Sequence, residues 1–143
     1  MKSDYIKHGD CLELMKELPD ESVDLILTDC PYKLVSGGCK GRHGGIFDES
    51  NIGIRSGKLF EHNNISFDEW LPELYRIVKP KTHTYIMING RNLSVLQASA
   101  ERAGFKLLNI LIWEKNNATQ NRYYMNKCEF ILMLRKGGGA YNQ

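Results

Sequence analysis

No stretch of this sequence is apolar for the roughly 18 to 20 residues that a membrane-spanning helix needs. The opening Met1-Lys2-Ser3-Asp4-Tyr5 also has none of the long apolar region of a secretion signal. A cytoplasmic protein with no membrane partner is the resulting expectation. An excess of either charge is missing too: 19 Lys and Arg against 17 Asp and Glu leave a formal net charge of +2, which neither demands nor excludes nucleic acid. Cysteine is sparse and scattered. Cys11, Cys30, Cys39 and Cys128 include no Cys-x-x-Cys pair, so they read as reduced thiols and not as a disulfide framework. A zinc site drawn from Cys30, Cys39, His43 and His62 lacks the close ligand spacing of structural zinc sites, and no metal is expected. No internal repeat is visible. What is present is an ordinary globular composition, 42% hydrophobic and 25% charged over 143 residues, enough for one domain with a real core and too little for two.

Along the chain, residues 5–8 have the character of a short strand, closed by Gly9-Asp10. Leu12, Met15 and Leu18 then fall at helical spacing until Pro19-Asp20. The mostly apolar run Val23 to Thr28 has strand length and the pattern of a strand covered on both faces. Residues 33–64 are rich in Gly, Ser, Asn and His, and so long a loop inside a domain is expected to be functional or mobile. Ser66 with Glu69 is a capping-box pattern, and Phe67, Trp70, Leu71, Leu74, Ile77 and Val78 line one helical face until Lys79-Pro80. Residues 82–89 are β-rich, residues 91–103 are helical with Gly104 as C′ residue, and strands over 106–114 and 128–135 flank a polar connection. Gly137-Gly138-Gly139 begins a flexible end. The order predicts an α/β fold with a mainly parallel sheet and an antiparallel C-terminal edge.

In open parallel sheets ligands collect beyond the carboxyl ends of the strands, which is where Asp10 and Asp29 fall. An aspartate in such a place is often only a helix cap, and for Asp10 alone that reading comes first. Asp29 differs because Cys30-Pro31-Tyr32 follows it. Two basic stretches, one with Lys33, Lys40, Arg42, Arg55 and Lys58 and one with Lys115, Arg122, Lys127, Arg135 and Lys136, can track phosphates. From these, Lys33, Arg42, Lys115 and Arg122 are the candidate phosphate contacts, while Trp113 and Glu129 read as packing and strand-end residues.

Thr28-Asp29-Cys30-Pro31-Tyr32 resembles the Asp-Pro-Pro-Tyr signature of the amino-group DNA methyltransferases. The lead-in His8-Gly9-Asp10-Cys11-Leu12-Glu13, Leu18-Pro19-Asp20 and Val23-Asp24-Leu25-Ile26 is similar to that of the β-group of this family, whose signature lies early. Later landmarks appear as Trp113-Glu114-Lys115, Arg122-Tyr123-Tyr124 and Cys128-Glu129-Phe130-Ile131-Leu132. A lone four-residue match is weak; the ordered set, spanning nearly the whole chain, is specific. The resemblance implies a Rossmann-like methyltransferase sheet, S-adenosylmethionine as methyl donor and DNA as partner. It makes Asp29, Cys30, Pro31 and Tyr32 the catalytic segment. An exocyclic amine can be methylated only after the base leaves the duplex. Tyr32 then offers a stacking face, and the Asp29 carboxylate and Cys30 carbonyl accept the amine protons. Asp10 resembles the acidic residue near the adenosine of the cofactor, and Asp29 is the second residue expected to bind it. Cys30 replaces the usual first proline, which frees a φ angle and keeps the carbonyl; no cysteine nucleophile is needed. Asp in the first signature position favours adenine N6, with cytosine N4 as the alternative, and a non-catalytic nucleic-acid-binding fragment as the rival of another class.

The family's glycine-rich cofactor motif, Phe-x-Gly-x-Gly after a strand, and its target-recognition region are expected late in such an enzyme, and neither is found. Residues 1–143 are therefore read as one catalytic, target-base portion with an incomplete sheet. In the family the strands carrying that motif lie between those ending at Asp10 and Asp29. Their loss predicts open edges, and with them self-association or a complementing cofactor-binding half as partner.

Overall fold

The computed structural model describes residues 6–32, 65–119 and 126–137. The chain divides into two compact units, Met1–Cys30 with Ser66–Gln143, and Pro31–Ile65; the expected 33–64 loop lies outside the described residues.

Helix α1 (Cys11–Lys16) begins where Asp10 Oδ1 accepts the amide hydrogens of Leu12 at 2.8 Å and Glu13 at 3.4 Å. These are donors that a helix start otherwise leaves open. Strand β1 (Val23–Asp29) follows the Pro19-Asp20 break. Helix α2 (Phe67–Ile77) starts at Ser66, whose N–H donates to Glu69 Oε1 at 2.8 Å, as the capping-box pattern predicts. Strand β2 (Val78–Ile88) continues from it without a loop. Pro80 has no N–H for a ladder and Lys81 is left-handed at φ 68°. The register accordingly jumps from Val23↔Val78 to Leu25↔His83, an irregularity of the bulge kind. Helix α3 (Leu93–Arg102) leads through Gly104 into strand β3 (Phe105–Thr119), and strand β4 (Asn126–Lys136) returns beside it.

The strands form one mixed sheet in the order β1-β2-β4-β3, with β1 and β2 parallel and β4 antiparallel to both β2 and β3. This is the expected α/β class, but among the described residues the sheet is mixed and not mainly parallel: only β1 with β2 is parallel, because β4 returns beside β2 in the opposite direction and carries β3 as the antiparallel C-terminal edge. One face of the sheet is closed: Thr84, Ile86 and Ile88 of β2 and Leu132 and Leu134 of β4 are buried together with Leu71, Leu74, Ile77, Leu96 and Ala100 of α2 and α3. Each fully buried leucine or isoleucine there contributes about 1.5 to 3 kcal/mol. Arg76 ties α1 to α2, donating to the carbonyls of Met15 and Leu18 at 2.9 Å each and to Asp20 at 2.6 Å.

Two expectations fail here, for one reason. Residues 6–8 form no strand, and Ile6 is fully exposed at 100%; an apolar segment becomes a strand only where a neighbour pairs with it, and none of the four does. Strand β1 is covered on one face and not on both, with Leu25 58% and Leu27 63% exposed.

Gly104 holds φ 105°, and a Cβ there would lie 2.9 Å from Tyr75 Cζ. The tyrosine ring is itself fixed, edge-on to Phe105 at 5.1 Å with the Lys136 ammonium 4.9 Å from its centre. Gly104→Ala should therefore cost about 1 to 3 kcal/mol, seen as a lower urea midpoint with an unchanged slope.

Candidate active site

Parallel strands β1 and β2 end on the same edge of the sheet, and the register shows what meets there. Asp29 pairs with Met87, Met87 with Ile131, and Ile88 with Phe130, which in turn faces Ile112. The carboxyl end of β1 thus shares an edge with Asn89-Gly90-Arg91 after β2 and with the start of β4. The Asp29 carboxylate is exposed and makes no hydrogen bond or ion pair among the described residues. An unengaged carboxylate at the end of a parallel strand is poised to accept hydrogen bonds from a ligand.

Cys30 is its opposite, 4% exposed, with the thiol directed at the Met87 carbonyl at 3.7 Å. Burial, and then the negative charge of Asp29, push this thiol up to about 12. It is a neutral hydrogen-bond donor at any physiological pH and no nucleophile. The reagent iodoacetamide should alkylate the exposed Cys11 and Cys128 at neutral pH while Cys30 stays unmodified until the protein unfolds, which peptide mass spectrometry resolves. The sign for stability follows: with the folded value raised, folding holds an extra proton above the unfolded thiol value of roughly 8.5. The contribution is full below that pH and is lost as pH climbs toward 12.

Pro31 is exposed and Tyr32 half-buried. Asp10 is a helix cap through Oδ1, the structural role that comes first for it in the sequence, and a carboxylate retains acceptor capacity on its second oxygen. No hydrogen bond links Asp10 to Asp29. Lys115 pairs with Glu129 at 2.7 Å, both partly buried; a cation engaged in this way is less available to a phosphate than a solvated one. Trp113, read as packing, is 57% exposed. Lys33, Arg42 and Arg122 lie outside the described residues, as do Cys39, His43 and His62 of the imagined zinc set. Asn89, Gly90 and Arg91 have no role in the sequence reading, although the rule that marks Asp29 applies equally after β2. Asn89 Oδ1 accepts from the Asn92 backbone and side-chain nitrogens at 3.0 and 2.9 Å and so shapes the turn into α3.

The DNA methylase family model for N6/N4 enzymes matches residues 23–143. The chain belongs to this family. Among curated relatives, the type II methyltransferase M2.LlaDCHI of Lactococcus lactis subsp. cremoris is 29% identical over 132 residues, covering 90% of this chain and 49% of the relative. M2.MboI of Moraxella bovis is 29% identical, covering 94% of this chain and 50% of the relative. The chain spans about half the length of the curated relatives it matches. Among solved structures, that of the M1.HpyAVI complex with SAM has TM-score 0.60 at 23% identity, covering 92% of this chain and 53% of that one. The cytosine-N4-specific PvuII DNA methyltransferase has TM-score 0.58 at 17% identity, covering 90% and 48%. These structures share the α/β fold, and the described residues of this chain contribute four strands of the Rossmann-like sheet.

Proposed function

We propose that this chain is the target-base portion of an S-adenosylmethionine-dependent DNA methyltransferase acting on the N6 amine of an adenine turned out of the duplex. The observation that carries this reading is the exposed Asp29 carboxylate at the carboxyl end of β1, unengaged among the described residues and opening the signature-like segment. Asp29 accepts one amine hydrogen and the Cys30 carbonyl the other, which fixes the nitrogen and aims its lone pair. The buried Cys30 thiol, anchored on Met87, holds that segment where the family's proline ring would stiffen it. When bound, the cofactor supplies an electrophilic methyl group. Asp29 offsets the positive charge that develops on the amine during transfer. A proton then leaves the nitrogen for solvent.

For the cofactor itself the fit is partial. Asp10 Oδ2 and Asp29 offer acceptors, but the described parallel strands end in Cys30-Pro31 and Asn89-Gly90, neither of which is the family's glycine turn. A further cofactor-binding segment belongs to this reading, and Lys33, Arg42 and Arg122 serve as this chain's DNA contacts, with Lys115 a weaker one because Glu129 already engages it. No helix among the described residues is long and apolar enough to cross a membrane.

Adenine is favoured by Asp29 in place of the serine usual for cytosine. The fold does not discriminate, being shared with a cytosine-N4-specific enzyme. Nucleoside analysis of DNA treated with an active protein containing this chain separates the two: N6-methyladenine is expected, and N4-methylcytosine would overturn the choice of base. Tyr32 is the stacking face in this reading. Tyr32→Ala should cost about 1 to 3 kcal/mol in holding the flipped base, and Tyr32→Phe almost nothing, read with 2-aminopurine at the target. If Phe behaved as badly as Ala, the hydroxyl and not the ring would be the working part.

A further inference from the structure

Three described cations stand at the edge where β1 and β2 end: Arg91 in the turn after β2, Lys115 toward the end of β3 and Lys127 at the start of β4. The two lysines face carboxylates across the β3–β4 ribbon, Lys115 with Glu129 at 2.7 Å and Lys127 with Glu114 at 3.5 Å. Arg91 is exposed and has no hydrogen bond, ion pair or ring contact among the described residues. The turn does not need its side chain, because Asn89 Oδ1 closes it by accepting from the Asn92 backbone nitrogen at 3.0 Å. Lys81 and Lys106 also hold no carboxylate among the described residues, but they lie near the starts of β2 and β3, at the opposite edge. An exposed arginine is ordinary on a protein surface. What singles out Arg91 is its place: it is the one described cation without a carboxylate on the edge that also carries Asp29.

The register bounds its distance from Asp29. Asp29 pairs with Met87, one strand spacing of about 4.8 Å away, and the four residues from Met87 to Arg91 advance at most about 14 Å. A nucleic-acid strand carries a phosphate about every 3.4 Å along its axis, so a base seated at Asp29 brings several phosphates within that range. We propose that the Arg91 guanidinium binds a backbone phosphate of DNA beside the target nucleotide. The proposal rests on the reading of Asp29 given above. A guanidinium suits this contact, because it is charged at every working pH and its fork meets two oxygens of one phosphate. Unlike Lys115 and Lys127, it holds no carboxylate that the phosphate has to displace. Phosphate contacts fix register and orientation and carry no sequence information. Arg91 in this arrangement holds the strand while Asp29 meets the base.

The test is the salt dependence of DNA binding by the 143-residue chain, read by fluorescence anisotropy on two labelled duplexes of unrelated sequence between roughly 50 and 200 mM salt. Arg91→Ala should weaken binding to both duplexes by about five- to tenfold at roughly 0.1 M salt, and should reduce the slope of log affinity against log salt by about 0.9, the value of one phosphate contact. Arg91→Lys keeps the charge and should restore the slope. Lys81→Ala and Lys106→Ala, at the opposite edge, should leave slope and affinity unchanged. An unchanged slope in Arg91→Ala would overturn the proposal, as would an equal reduction in either lysine variant or the absence of salt-dependent binding by the wild-type chain. A loss on one duplex alone would make Arg91 a base contact instead. A slope unchanged beside a weaker calorimetric affinity for S-adenosylmethionine would assign the guanidinium to the donor's carboxylate, and a lowered melting temperature in both Arg91 variants would make it a structural residue; each result overturns the phosphate contact. Methyl transfer is assayed separately, in an active protein containing this chain. A reduced slope without transfer in the wild type would remove the reading of Asp29 and leave the phosphate contact standing; transfer with an unchanged slope in Arg91→Ala would do the reverse.

Discussion

Asp29→Ala is expected to lower methyl transfer by at least about a hundredfold in an active protein containing this chain, with DNA affinity nearly unchanged. The size follows from the role proposed for the carboxylate. Base stacking and phosphate contacts are made equally in the ground and transition states, so removing Asp29 leaves them intact. The hydrogen bond to the amine strengthens only as positive charge develops on nitrogen, and its loss falls on the chemical step. Asp29→Asn keeps the shape and one acceptor oxygen but loses the charge, so it should fall between wild type and alanine. Single-turnover incorporation of labelled methyl groups measures the step, and fluorescence anisotropy with unmodified DNA measures binding. Turnover within a fewfold of wild type in Asp29→Ala would remove the carboxylate from the mechanism. A parallel loss of DNA binding would make it a structural residue.

Much of this was legible in the sequence because the decisive interactions are local. Ser66 and Glu69 are three residues apart and close one helix turn; Gly104 ends α3 because only its own backbone has to turn left-handed. The position of Asp29 was legible for a related reason, since it ends an apolar strand and so stands at the edge of the sheet. What escaped depends on partners distant in sequence. The insertion of β4 between β2 and β3 is a choice of neighbours that periodicity does not encode. Lys79-Pro80 reads in the sequence only as a helix stop, because the irregularity at Pro80-Lys81 affects register only once β1 lies alongside. Asn89 to Arg91 carry no motif, although they follow a parallel strand as Asp29 does. The apolar run Val23 to Thr28 reads as covered on both faces, yet Leu25 and Leu27 are exposed, because apolarity along a strand does not record which neighbour packs on it.

The 143-residue chain, purified by itself, is expected to incorporate no labelled methyl group into unmethylated DNA above the blank. Asp29 is exposed at the end of β1, and the buried Cys30 thiol is directed at the Met87 carbonyl. The methyl donor, however, has to be held within reach of that segment. The close backbone approach this requires needs a glycine-allowed turn at a strand end. Neither described parallel strand offers one, and Gly90, which follows β2, is backed by the Phe130 ring, 3.1 Å from where its Cβ would stand. Two carboxylates, one of them already capping α1, would have to bind the donor against an open sheet edge, and the cost of ordering that edge opposes binding. The measurement is scintillation counting of DNA after incubation with labelled S-adenosylmethionine, with calorimetry on the same preparation to ask whether the donor binds at all. Robust incorporation by the chain alone would show that these residues suffice for catalysis and would remove the need for a second segment. Saturable heat without incorporation would place the deficiency in the geometry of transfer and not in donor binding.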